Sequence, residues 1–162
     1  MFEPYQFCAD VIEPALKEVD LYSRGAEQLL LGTACVESNL GTYLRQIRGP
    51  AMGVFQIEPN THADIWTNYV AYRPHLKSKL TNMVAPSQWR TDMRRPHHYA
   101  LIHQLAYTTA IARIVYRRSP DAMPEEDDWE GMAKMWKKVY NTPLGAGTEE
   151  KFMSALQTCG VR

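Results

Sequence analysis

Between positions 23 and 41 the chain reads "SRGAEQLLLGTACVESNLG", and its middle, residues 29–36, is apolar on nearly every side of a helix. Such a helix cannot lie on a surface with one face in water; other elements have to surround it. Ser23 suits its N-cap and Gly41 its C-terminal stop. Cys35, in the same stretch, reads as a small core residue. This one segment predicts a domain wrapped around a central rod.

The remaining periodicity is helical nearly throughout. A first helix is expected over residues 4–21. Pro59 suits the first turn of a third, "PNTHADIWTNYV". Residues 71–96 read as less regular. A long helix is expected over 97–118, where Leu101, Leu105, Ile111, Ile114 and Val115 recur at near-helical spacing. The acids of "SPDAMPEEDD" lead into a helix over 129–140, and Thr148 caps a last one, "EEKFMSALQT". Strand-like alternation is scarce, apart from an ambiguous run around "GVFQI". With no repeat and 162 residues, the expectation is one all-α domain of six to eight helices over residues 1–162.

Eighteen basic residues balance eighteen acidic ones, which argues against a dedicated nucleic-acid binder. No apolar stretch approaches the roughly 20 residues that span a bilayer, so no membrane span is expected. The first residues, "MFEPYQFCADVIEP", lack a basic n-region, and the protein is expected to be made and first held in a cytoplasm. Three cysteines without a CxxC pattern fit reduced thiols. The five histidines lack zinc-motif spacing and read as loop and surface residues. Neither a metal nor a cofactor is expected.

Glu37 extends the apolar helix in its last turn. Burial and the helix dipole both disfavour a negative charge there, and a carboxyl with a raised pKa is what a general acid near neutral pH requires. An ordinary glutamate whose head reaches water is the alternative. A Gly-rich loop with a lone glutamine, Gln56, follows within twenty residues.

"ESNLG", "GPAMGVFQIEPNT" and "WKKVYNTPLGAGT" occur in that order, with helices between. The pattern resembles the lytic transglycosylase and goose-type lysozyme family, which cleaves the glycan strands of bacterial peptidoglycan. That family shows E-S at the end of a buried helix, G-L-M-Q in the next loop and A-Y-N near its C-terminal helices. Here these are Glu37-Ser38, Gly53-Val54-Phe55-Gln56 and Val139-Tyr140-Asn141. The strings "GVFQIEPNTHADIW" and "YNTPLGAGTEEKF" look similar to proteins of phages and prophages.

The resemblance implies a lysozyme-like fold and assigns roles. Glu37 is the catalytic acid at the bond between N-acetylmuramic acid and N-acetylglucosamine. Ser38 helps orient the substrate, and Gln56 lines the cleft and binds sugar. The Tyr140 hydroxyl approaches the acid, Asn141 braces that corner, and Gly53 lets the loop backbone approach the sugar. The departures are Val54, Phe55 and Val139 within the motifs and the longer "TPLGAG" after Tyr140-Asn141.

In this family one glutamate suffices, because the C6 hydroxyl of muramic acid attacks its own anomeric carbon and closes a 1,6-anhydro ring. A hydrolase on the same fold would need a second carboxylate, for which Glu58 and Asp64 stand as candidates against readings as helix-start acids. The partners implied are peptidoglycan strands and, in a virion, other tail or baseplate proteins. A structural tail or baseplate component with little activity is the rival of another class. The place of action is the bacterial cell wall, reached in the virion or, at lysis, through a holin.

Residues 68–99 hold Arg73, Lys77, Lys79, Arg90, Arg94 and Arg95 against the single acid Asp92. This patch is open to three readings: steering of an anionic polymer, docking of a partner protein, or a solvated insertion. Tyr43, Trp66, Tyr69, Trp89 and Tyr99 are candidates to stack on sugars, whereas Met132, Met135 and Trp136 read as core.

Overall fold

The computed structural model describes residues 1–89, 94–141 and 145–162. The described residues are helical, joined by turns and isolated bridges, without a strand. Helix α1 (Pro4–Phe7) runs through a π turn, Cys8–Ile12, into α2 (Glu13–Glu18). Pro14 explains the wide turn. It brings no N–H, and its ring would crowd the carbonyl four residues back in a regular helix; the Glu13 N–H instead reaches back five residues to the Cys8 carbonyl.

The central rod is α3 (Arg24–Ser38), and residues 29–35 are buried without interruption. Ser23 Oγ accepts the Ala26 N–H at 3.1 Å and caps it. The rod ends three residues before Gly41, the expected stop. Asn39, Leu40 and Gly41 are all left-handed, with φ of 49°, 47° and 81°, and the Leu40 N–H closes on the Ala34 carbonyl at 3.0 Å. Asn tolerates this region well enough to stop a helix without glycine.

A loop leads to α4 (Pro59–Asn68), a 3-10 turn (Val70–Tyr72) and α5 (Pro74–Asn82). Helix α5 lies in the stretch expected to be less regular; a 3-10 turn, Pro86–Gln88, follows. The long helix expected over 97–118 is two helices, α6 (Ala100–His103) and α7 (Leu105–Arg117), separated by extended backbone at Gln104, φ −124° and ψ 90°. Helix α8 (Trp129–Met135) passes through a second π turn (Trp136–Tyr140), and α9 (Glu149–Thr158) follows its Thr148 cap. Counted as continuous rods these are eight helices among the described residues, and the domain is all-α.

One contiguous cluster of buried side chains runs from Phe7 to Cys159. Helix α9 crosses α3 where Gly32 faces the Phe152 ring; a Cβ at Gly32 would lie 2.2 Å from its Cζ. Among the described residues no helix is long and apolar enough to cross a membrane.

Candidate functional site

Glu37 stands in the last turn of α3, half-buried, and its Oε1 accepts the Trp136 indole N–H at 2.9 Å. Burial raises its pKa above the ordinary carboxylate value; the indole hydrogen bond and the Lys151 charge pull it partly back. One turn earlier, Thr33 donates to the Leu29 carbonyl at 2.7 Å. Its proton so placed, Thr33 accepts the Tyr116 hydroxyl, also at 2.7 Å. The Tyr116 ring stacks on Tyr140 with centroids 5.3 Å apart. Burial holds both phenols well above their usual pKa, and the Glu37 charge adds to this in each. The carboxyl therefore meets Trp136 directly, and Tyr116 and Tyr140 lie near enough to feel its charge.

The glutamine loop is a tight turn closed by Met52 and Ile57, whose backbones exchange hydrogen bonds of 3.1 and 2.9 Å. The ambiguous "GVFQI" run is this turn, not a strand. Gln56 is left-handed, φ 47°. Its Nε2 donates to the Gly53 carbonyl at 2.9 Å and the Tyr43 carbonyl at 3.4 Å. Two carbonyl neighbours require the nitrogen on that side, which leaves Oε1 as an acceptor for a ligand hydroxyl.

Tyr140 joins the two parts. Its hydroxyl donates to the Phe55 carbonyl at 2.7 Å, so it braces the glutamine turn and gives its proton there, not to Glu37. Asn141 Oδ1 accepts from Lys137 Nζ and from the Gly147 N–H, each at 3.1 Å, tying the turn after Tyr140 to the start of α9. Residues 142–144 of the "TPLGAG" insertion lie outside the described residues, as do Arg90 and Asp92.

Two expected ligand contacts have another physical basis. Ser38 is fully buried; its Oγ donates to the Ala34 carbonyl at 3.1 Å and accepts the Gly41 N–H at 2.8 Å. It finishes the helix, and its hydroxyl is spent on backbone groups. Gly53 is buried too, with φ 77°, and a Cβ there would meet the Leu101 carbonyl at 2.1 Å. The close approach that requires glycine is made by α6.

The candidates for a second carboxylate differ. Asp64 is bound to Arg118 and to Asn68 Nδ2, which hold its pKa below the usual range. Glu58 occupies the N-cap position of α4, exposed and without a capping bond from its side chain.

Spacing alone missed three contributors: Trp136, Tyr116 and Lys151. Trp136 is 1% exposed and read correctly as core, but its indole N–H is the hydrogen-bond donor to Glu37. Buried tryptophans need such a partner, the one signal that could have raised the question. His62 corrects the surface reading of the histidines: it is 1% exposed, with Nε2 2.6 Å from the Tyr107 hydroxyl. Among the described residues no group of three or more His, Cys, Asp or Glu could hold a metal ion.

A cavity of about 520 Å³ lies at the opposite end of α3, against Arg24, Glu27, Gln28 and Asp127. Its polar groups satisfy one another: Glu27 takes Arg24 and the Tyr22 hydroxyl, and Gln28 and Asp127 exchange hydrogen bonds of 2.8 and 2.7 Å. It reads as a structural knot. No family model matches the chain, and neither a curated protein nor a solved structure matches it.

Proposed function

We propose that the chain is a lysozyme-like peptidoglycan lytic transglycosylase, carried in a phage virion to act on the bacterial cell wall. The observation that carries this reading is the meeting of the three motifs. Tyr140 binds the backbone of the glutamine turn at 2.7 Å and also feels the charge of Glu37.

Glu37, whose pKa burial raises, gives its proton to the glycosidic oxygen as the bond to the muramic acid C1 breaks. The resulting carboxylate takes the proton from the C6 hydroxyl as that oxygen bonds to C1. The anhydro ring closes, no water is consumed, and Glu37 ends protonated as it began. An intramolecular nucleophile already near C1 removes much of the entropic barrier. The free Oε1 of Gln56 accepts from a sugar hydroxyl and fixes the strand.

The hydrolase reading is disfavoured at Asp64, whose carboxylate is engaged by Arg118, and narrows to Glu58. The test is digestion of purified peptidoglycan with mass spectrometry of the released muropeptides. Anhydro ends from the native chain, and none from Glu37→Gln, are expected. Reducing ends would make the protein a hydrolase. No cleavage by a folded native chain would leave a structural virion role.

A further inference from the structure

At the far end of α4 from the glutamine turn, a pocket of about 410 Å³ is lined by Trp66, Thr67, Tyr72, Lys77, Arg94 and Arg95, with no carboxylate in its wall among the described residues. The basic stretch around it divides in two. Lys79 and His75 hold Asp20 at 2.9 and 3.3 Å, and Arg73 lies flat on the Tyr69 ring, 3.6 Å from its centroid. Lys77, Arg94 and Arg95 instead converge on the pocket without an acidic partner among the described residues. Like charges gathered in one concavity repel each other and favour an anion between them. Arginine forks match a carboxylate in two-point fashion, and Tyr72, 75% exposed, adds a flat wall.

We propose that this pocket binds the carboxylates of peptide stems on the glycan strand, an inference that rests on the peptidoglycan reading above. Its position fits. From Glu58, beside the glutamine turn, to Thr67 in the pocket is nine residues of helix, about 13 Å at the rise of an α-helix. That is a span a stem peptide covers from a sugar held at Gln56.

The test is co-sedimentation with purified sacculi, intact or stripped of stems by an amidase, using the chain with Glu37→Gln so that nothing is cleaved. Intact sacculi are expected to bind about tenfold more tightly than stripped ones. Lys77→Gln together with Arg94→Gln is expected to abolish that difference. Both side chains are exposed, and Lys77→Gln alone serves as a milder second variant, expected to reduce the difference in part. Equal binding to both sacculi, binding to neither, or full binding by the variants would overturn the site. So would displacement by inorganic phosphate at lower concentration than by free stem peptide, which would assign the pocket to a phosphate ligand. Because binding is read without cleavage, absence of anhydro products in the digestion assay would sink the enzymatic reading and leave this result standing.

Discussion

Glu37 is where two opposing influences on a carboxyl meet. Burial favours its protonated form, while the Trp136 N–H and the Lys151 charge favour the carboxylate, and burial prevails. Glu37→Gln keeps the acceptor for Trp136 and removes the proton, so peptidoglycan cleavage is expected to fall by roughly 10²–10⁴-fold, the usual share of general acid catalysis. The stability effect has the opposite sign. A carboxyl whose folded pKa is raised adds stability below its unfolded pKa and loses it as pH rises through the folded value. Glu37→Gln is therefore expected to melt no lower than the native chain at neutral pH, with any advantage shrinking below the ordinary carboxylate range. Thermal melts across pH check this. Trp136→Phe keeps an aromatic ring against Phe152 but removes the hydrogen bond that lowers the Glu37 pKa. The alkaline limb of its pH–activity profile is expected to move upward, which a merely structural residue would not do. The stability cost should stay below the ~3–5 kcal/mol of truncating a buried Trp to alanine. Glu37 and Gln56 were legible in the chain because both break a local pattern. Trp136 was not, since its bond to Glu37 spans 99 positions and helical spacing carries no information about it.

At the scale of elements, α3 and its Ser23 cap were readable because an all-apolar segment admits one environment, and so was the Thr148 start of α9; the stop expected at Gly41 falls at Asn39 instead. Helix α5 was hidden by its composition: "PHLKSKLTN" has only Leu76 and Leu80 as an apolar pair, and Leu80 alone is fully buried. The break at Gln104 was invisible because no Pro or Gly marks it, and the periodic residues on either side continue in phase. The π turn at Cys8–Ile12 was marked by Pro14, a signal passed over because the flanking residues read as helix. How closely α9 lies on α3 depends on Gly32. Gly32→Ala would place its Cβ within 2.2 Å of the Phe152 ring, which is fully buried. The overpacking is expected to cost about 1–3 kcal/mol, read as a fall of roughly 2–4 °C in Tm per kcal/mol for a chain of this size. Adding Phe152→Leu should recover part of the loss, and a double variant no more stable than Gly32→Ala would count against this account.

For the molecule as a whole, the joint between α4 and α7 governs how it responds to acid. Trp66 Nε1 donates to the Tyr107 hydroxyl oxygen at 2.7 Å, and the same hydroxyl reaches His62 Nε2 at 2.6 Å. With one lone pair of Tyr107 occupied, the simplest complete arrangement has its proton donated to a neutral His62. Burial, assisted by the charges of Arg95, His98 and His97, pushes the His62 pKa down to about 3 from an ordinary 6.5. A base with a depressed pKa is neutral in the folded chain while the unfolded chain takes up a proton, so stability is full above about 6.5 and is lost as pH falls toward about 3. The limiting slope is about 1.4 kcal/mol per pH unit. Denaturant melts from neutral pH down to about pH 4 are expected to show this decline over and above that of the carboxylates. His62→Gln, which keeps an acceptor and cannot titrate, should flatten it even if its stability at neutral pH is lower. Since α4 begins three residues after Gln56, opening this joint would also release the glutamine turn. Cleavage should then fail on the acid side together with the local packing of α4, well before the α3–α9 core unfolds. Hydrogen exchange that showed α4 and α9 losing protection at the same pH would refute that order.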